Sequence, residues 1–309
     1  MIEKLAISSS PHLRGTMSVT RIMATVLICL LPAVVASIVL FGWYSLLLEV
    51  FCVVVCVLLE FICRKVMKRQ QTVKDLSAAV TGLLLALTLP PYIGLQYALV
   101  GCIAAIVVVK QMFGGIGHNF INPALGGRII MTVSFPTAMT TWFYDGKTTA
   151  TPLSGGGASI TDMLLGRTGG CIGETCAIAL IIGGIALIAL GIIKVWIPLS
   201  YLGTVALFSL IAGKDIPMQL LSGGLLIGAF FMATDYTTSP LTTRGKIIYG
   251  IGCGLLTCVI RFYASLPGGV SYSIVLMNII TPLIDRYVRP KSFGEVRQKK
   301  PKAEKEAAK

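Results

Sequence analysis

Tyr44-Ser45-Leu46-Leu47-Leu48-Glu49-Val50-Phe51-Cys52-Val53-Val54-Val55-Cys56-Val57-Leu58-Leu59-Glu60-Phe61-Ile62-Cys63 is followed at once by Arg64-Lys65-Val66-Met67-Lys68-Arg69. A stretch of about 20 mostly apolar residues crosses a ~30 Å hydrocarbon layer as one helix. A dense basic cluster directly behind such a stretch marks the cytoplasmic side. These two features together specify a membrane-spanning helix and its direction, and the same pattern repeats outward along the chain.

The composition agrees. Of 309 residues, 55% are hydrophobic and 13% charged, where soluble domains carry about a quarter charged. The formal net charge of +13 sits between apolar runs and after Pro290, as topology signals do. No aromatic-interleaved basic surface suggests nucleic acid. Nine cysteines lie mostly inside apolar runs with no C-x-x-C spacing. They read as small buried hydrophobes, not as a metal or iron–sulfur site. Cys171 and Cys176 leave a disulfide as the alternative.

Residues 1–20 read as an interfacial amphipathic segment and not as a cleavable signal peptide. Five apolar runs follow within 21–139: about 21–41, 44–63, 76–89 (ending at Pro90-Pro91), 96–109 and 124–139. A polar interval, 140–173, separates them from five more within 174–288: about 174–193, 195–212, 218–233, 247–263 and 271–287. Residues 289–309 form a basic tail that alternates Lys and Glu, disordered or adsorbed to anionic lipid. The expectation is an all-α polytopic membrane protein with about ten spans, both termini cytoplasmic and the 140–173 loop outside.

Thr81-Gly82-Leu83-Leu84-Leu85-Ala86-Leu87-Thr88-Leu89-Pro90 lies in the third run of the first set. Gly223-Gly224-Leu225-Leu226-Ile227-Gly228-Ala229-Phe230 lies in the third run of the second. Five spans per half is odd, so a repeated half enters the membrane inverted, an architecture of channels and transporters.

Four polar stretches are candidates for chemistry, because non-helical backbone at membrane depth survives only where water, protein or a cofactor satisfies it. The first is Asp145-Gly146-Lys147-Thr148-Thr149-Ala150-Thr151-Pro152-Leu153. The second is the glycine-rich Phe113–Pro123, with His118, Asn119 and Asn122; a lone His argues against a metal. The third is Thr234-Asp235-Tyr236-Thr237-Thr238-Ser239-Pro240. A carboxylate there is costly unless paired or functional. A pairing with Arg244 or Arg128, a helix cap, and a flavin or ion-path role are the readings open to Asp235. The fourth is Glu49 with Glu60: Glu49 as an ion-path residue, Glu60 reaching Arg64 one turn on.

Asp145, Thr148, Ala150 and Thr151 match Asp-x-x-Ser/Thr-Gly-Ala-Thr. A flavin transferase modifies that sequence in the B subunit of the sodium-pumping quinone reductase and in the D and G subunits of the Rnf complex. Thr149 stands where the family often has Gly. Lys110–Gly117, Asn122-Pro123-Ala124, Arg128, Ser134-Phe135-Pro136, Met232–Asp235, Thr238-Ser239-Pro240 and Arg244-Gly245-Lys246 also resemble the family of the Rnf D subunit and the quinone reductase B subunit, over nearly all of residues 20–290. The resemblance implies FMN on Thr151 through a phosphoester, hence a phosphoprotein, with Asp145, Thr148, Thr149 and Ala150 shaping the attachment loop. It admits a second, non-covalent flavin. It draws flavin-site residues from both halves, with Asn122, Arg128, Thr234 and Asp235 as candidates, and it supplies no catalytic or metal-binding residue. It further implies an electron-transport subunit of a bacterial inner-membrane complex. That complex oxidises ferredoxin, reduces NAD and moves Na⁺ or H⁺. The expected partners are the Rnf A, B, C, E and G subunits, membrane lipid, and a flavin transferase during maturation. A channel or solute transporter is the alternative that the inverted repeat allows, and a scaffold for partner subunits is a third; neither needs the Asp145–Thr151 sequence.

Overall fold

The computed structural model describes residues 17–144, 147–155, 157–264 and 268–288. The interfacial segment before Met17, Asp145 itself, the Leu266-Pro267 turn and the basic tail lie outside the described residues.

Each sequence-predicted run contains helix, but not always one helix. The first two are long: α1 (Val19–Phe41) and α2 (Trp43–Val66), joined through Gly42 alone at φ +76°. Next come α3 (Ser77–Leu87) and α4 (Leu95–Ile103), which runs on as a π-helix from Ala104 to Gln111. They are followed by α5 (Pro123–Ser134) and α6 (Pro136–Met139). The loop contributes a short hairpin, β1 (Phe143–Tyr144) with β2 (Lys147–Thr148), and α7 (Ile160–Leu165). The second set is α8 (Ala177–Ala189), α9 (Trp196–Ile211), α10 (Ile216–Leu221), α11 (Leu225–Ile227) with a π turn Gly228–Met232, α12 (Thr243–Tyr263) and α13 (Gly269–Tyr287).

Three of these, α1, α2 and α12, are long and apolar enough to cross a membrane alone; α3, Leu95–Gln111, α8 and α9 are shorter apolar helices. The protein is therefore predominantly helical, as a polytopic membrane protein is. Three runs differ from expectation. The third is an eleven-residue helix buried on every face. The fifth is split at Phe135 into α5 and α6. The eighth is not one helix: Gly223 and Gly224, both at φ +69°, break it between α10 and α11.

Helices approach closely where side chains are small, as in membrane bundles. A Cβ on Gly82 would lie 2.7 Å from the Cys52 carbonyl oxygen and 2.9 Å from Val53 Cα; one on Gly127 would lie 2.7 Å from the Gly101 carbonyl oxygen. These atoms are backbone and cannot swing away. Gly82→Ala is expected to part α2 from α3 at a cost of about 1–3 kcal/mol, read as a lower thermal midpoint of the solubilised protein. An unchanged midpoint would show that the crossing is loose.

The two ends of the bundle differ. At one end lie the Arg64–Arg69 cluster, the start of α1 and the 111–122 turn. At the other, the Tyr44 hydroxyl donates to the Ile93 carbonyl (2.8 Å), Tyr44 stacks on Tyr92 (5.9 Å) and Tyr92 meets Phe143 edge-on (5.4 Å). That aromatic group ties the hairpin of the long loop to α2. The loop is also held by backbone bonds from Ile172 N to Leu89 O (3.0 Å) and from Gly173 N to Leu87 O (2.7 Å).

Candidate functional site

Thr151 sits where the hairpin gives way to a single 3₁₀ turn, Pro152–Ser154, which Thr151 starts in extended conformation. The Thr149 N–H donates to the Trp142 carbonyl at 3.0 Å and closes the hairpin; the Ser154 N–H donates to the Thr151 carbonyl at 2.9 Å and closes the turn. The Thr151 hydroxyl lies 3.0 Å from Ser154 Oγ and the residue is 4% exposed. Thr148 and Ala150 are exposed. Thr149 Oγ1 is buried without a partner and lies where a Cβ on Gly169 would be. The threonine that replaces the family's usual glycine is thus accommodated by a glycine across the loop.

Thr151 lines a cavity of about 60 Å³ together with Arg128, Trp142, Glu174, Gly223 and Ser271. Arg128 comes from α5, so the cavity joins the loop to the first set of spans, while Gly223 and Ser271 bring in the second. The Arg128 guanidinium meets Cys171 Sγ at 3.4 Å and forms no ion pair among the described residues. Gly224 is the close approach: its Cβ would be 3.1 Å from Glu174 Oε2 and 3.9 Å from Arg128 Nη1. Ser271 Oγ is buried with no partner. Cys171 and Cys176 are free thiols, so the disulfide alternative is not formed.

Asn122, Thr234 and Asp235 are elsewhere. They line a second cavity of about 440 Å³ at the other end of the bundle, with Ser77, Thr81, Lys110, Asn119 and Phe231. Asn122 caps α5 by accepting from the Ala124 N–H (3.0 Å) and donates to the Met232 carbonyl (3.2 Å). Pro123 at the first helical position suits that cap. The candidate residues thus form two groups, one at the start of α5 and one along its second half, not one site.

Of the readings open to Asp235, the pairing with an arginine is not made. Neither Arg128 nor Arg244 reaches it; its carboxylate accepts from the Thr237 hydroxyl (3.0 Å), the Thr237 N–H (3.4 Å) and the Thr238 hydroxyl (3.3 Å). Hydroxyls of its own turn and the Asn119 side chain satisfy it, because the chain turns back immediately after the π turn. Pro90 lies with the loop at the far end, and the first two turns of α3 line the large cavity.

Glu60 also differs from expectation. Its partner is Lys110, fifty positions on, at 3.0 Å, and not Arg64. Glu60 further accepts from Gln111 (3.0 Å) and Thr72 (2.8 Å), and Lys110 donates to Ser77 Oγ (2.6 Å). The π-helix Ala104–Gln111 aims Lys110 and Gln111 inward. Such widened turns recur at functional sites. Neither Lys110 nor Glu174 stands out as a site residue in the sequence; the usable signal is a lone cation ending one apolar run and a lone carboxylate within another.

Comparison with known proteins identifies the family. Residues 6–294 match the NQR2, RnfD, RnfE family. The chain is 47% identical over 309 residues to the D subunit of the Na⁺-translocating ferredoxin:NAD⁺ oxidoreductase complex of Acetobacterium woodii, covering 96% of this chain and 97% of that one. It is 41% identical over 316 residues to the D subunit of the proton-translocating ferredoxin:NAD⁺ oxidoreductase complex of Clostridium ljungdahlii (93% and 96% covered). It is 35% identical over 334 residues to the D subunit of the ion-translocating oxidoreductase complex of Stutzerimonas stutzeri (92% and 94% covered). A match that takes in both cavities, the loop between the two sets of helices and nearly the whole chain leaves one conclusion: this protein belongs to the NQR2, RnfD, RnfE family.

Proposed function

We propose that the chain is the integral membrane D subunit of an ion-translocating ferredoxin:NAD⁺ oxidoreductase and carries FMN on Thr151 through a phosphoester. One observation carries this: the Thr151 hydroxyl and the Arg128 guanidinium, which makes no ion pair among the described residues although Glu174 shares the site, line one cavity. A phosphodiester at Thr151 keeps one negative charge, and a guanidinium binds phosphate oxygens in a fork. The unpartnered Ser271 Oγ on the cavity wall suits a polar group better than lipid. FMN would supply the electron chemistry; the protein holds and orients it. Arg128 would hold the phosphate, Ser154 would orient the Thr151 hydroxyl, and Tyr44, Tyr92 and Phe143 would fix the loop. Asp145 would belong to the sequence that the flavin transferase reads. The large cavity, with Asn119, Asn122, Thr234 and Asp235 on a mostly apolar wall, suits a second, non-covalent flavin.

The same reading assigns ten spans in two inverted five-helix repeats. Supporting it, α1 packs on α8 and α5 on α13, each pairing the same ordinal position of the two sets. The partners would be the Rnf A, B, C, E and G subunits, in a bacterial inner membrane. The Arg64–Arg69 cluster and both termini would face the cytoplasm and the flavin loop the outside. A cysteine introduced at Lys147, in a background cleared of exposed thiols, should react with an impermeant reagent only from outside; reaction only from inside would reverse the topology.

The transporter alternative draws on the large cavity but gives Thr151 no role. Ultraviolet fluorescence of the denatured, gel-separated protein tests between them: a covalent flavin stays on the band and glows, and a dark band from native membranes would exclude the flavin reading.

A further inference from the structure

Near the end of the bundle that holds the long loop, α1 and α2 enclose a carboxyl that neither cavity uses. Glu49 is 2% exposed, and Ser37 and Ser45 beside it are fully buried. It lies six residues into α2, about 9 Å along the helix. No cation pairs with it among the described residues. Its Oε2 has no hydrogen-bond partner.

The hydrogens can be counted. Ser37 Oγ lies 2.7 Å from the Val34 carbonyl oxygen and 2.7 Å from Glu49 Oε1. A serine hydroxyl has one hydrogen to give, and the carbonyl and an ionised carboxylate are both acceptors. The second short contact is met by a neutral Glu49 that brings its own hydrogen, or by sharing of the one serine hydrogen, as Ser45 shares its own between two carbonyls. A neutral carboxyl that donates to Ser37 Oγ, with Ser37 donating on to Val34, satisfies both distances. It also avoids an unpaired charge inside the bundle, which would be costly. Ser45 holds the neighbouring backbone: its hydroxyl reaches the Gly42 carbonyl (2.7 Å) and the Ser37 carbonyl (3.1 Å).

We propose that Glu49 and Ser37 form a binding site for one monovalent cation, H⁺ in the packing seen here and exchangeable for Na⁺. A carboxylate, a hydroxyl and nearby carbonyl oxygens are the ligands hard cations take. The exchange balances: the Glu49 O–H bond breaks, the proton leaves, and Na⁺ takes its place on the carboxylate. One positive charge replaces another and no electron moves. The complexes of two relatives are named for Na⁺ and for protons, and such a site serves either.

The proposal rests on membership of the ion-translocating complex, which electron transfer and in-gel flavin fluorescence report separately. In the whole complex reconstituted into vesicles, Glu49→Gln keeps the shape and a donor for Ser37 but binds no cation. Ferredoxin-driven cation uptake is expected to be lost, while flavin fluorescence and electron transfer in detergent persist. In the unmodified complex, dicyclohexylcarbodiimide, which attacks protonated carboxyls in apolar surroundings, should label the Glu49 peptide, and raised pH or added Na⁺ should slow the labelling. Full cation uptake by Glu49→Gln would overturn the proposal. So would absent labelling, or labelling indifferent to both pH and Na⁺; if Glu49→Gln fails to assemble, the labelling result decides.

Discussion

Thr151→Ala should abolish the in-gel flavin fluorescence of the protein while leaving its fold intact. The substitution removes one hydroxyl, whose contact is Ser154 Oγ at 3.0 Å. Losing such a bond costs about 0.5–1.5 kcal/mol, far less than unfolding requires. The backbone bonds that shape the turn, Ser154 N to Thr151 O and Thr149 N to Trp142 O, do not involve the hydroxyl. A phosphoester has no other oxygen to form on at that position. Thr148→Ala and Thr149→Ala are the controls: Thr148 is exposed on the hairpin and Thr149 Oγ1 faces Gly169 inside the loop, so each should at most weaken the band. Full fluorescence from Thr151→Ala would move the attachment elsewhere, and loss in all three would point to loop shape instead of the acceptor.

The largest effect on stability should come from Lys110→Met. Lys110 and Glu60 are 2% and 0% exposed and lie 3.0 Å apart. Removing one member of a buried ion pair strands the other and costs about 3–5 kcal/mol. Thr72 and Gln111 would still donate to Glu60, but neither supplies a charge. Lys110→Met combined with Glu60→Leu should recover most of the loss, because well-packed apolar replacements of a buried pair are often neutral. Thermal midpoints of the solubilised protein give the comparison. If the single substitution were no worse than the double, the pair would add little to the fold. Because Lys110 also lines the large cavity, the single variant should alter whatever binds there as well.

The helical, polytopic fold class and the polar loop between the two sets of helices were legible in the sequence, because both are local. Hydropathy over about 20 residues reports burial in lipid whatever the rest of the chain does, and α1, α2 and α12 fall where the runs predict. The Asp145–Thr151 pattern is contiguous, so no folding is needed to see it. Gly223-Gly224 could likewise be marked as a break from glycine's freedom at positive φ.

Which distant side chains meet could not be read this way. Arg128 and Thr151 share a cavity only because α5 ends beside the loop, while Asn122, on the same helix, opens into the other cavity. Glu60 takes a partner fifty positions away and not the arginine one turn on, because a π-helix turns Lys110 inward and burial makes that charge pair worth forming. Asp235 is satisfied by its own turn and by Asn119, and needs no distant arginine. Hydrophobic periodicity fixes which residues avoid water or enter lipid, one helix at a time. The partners of the few buried polar groups follow from how the helices cross, and that depends on close contacts such as Gly82 on Cys52 and Gly127 on Gly101, which are made only once the chain is packed.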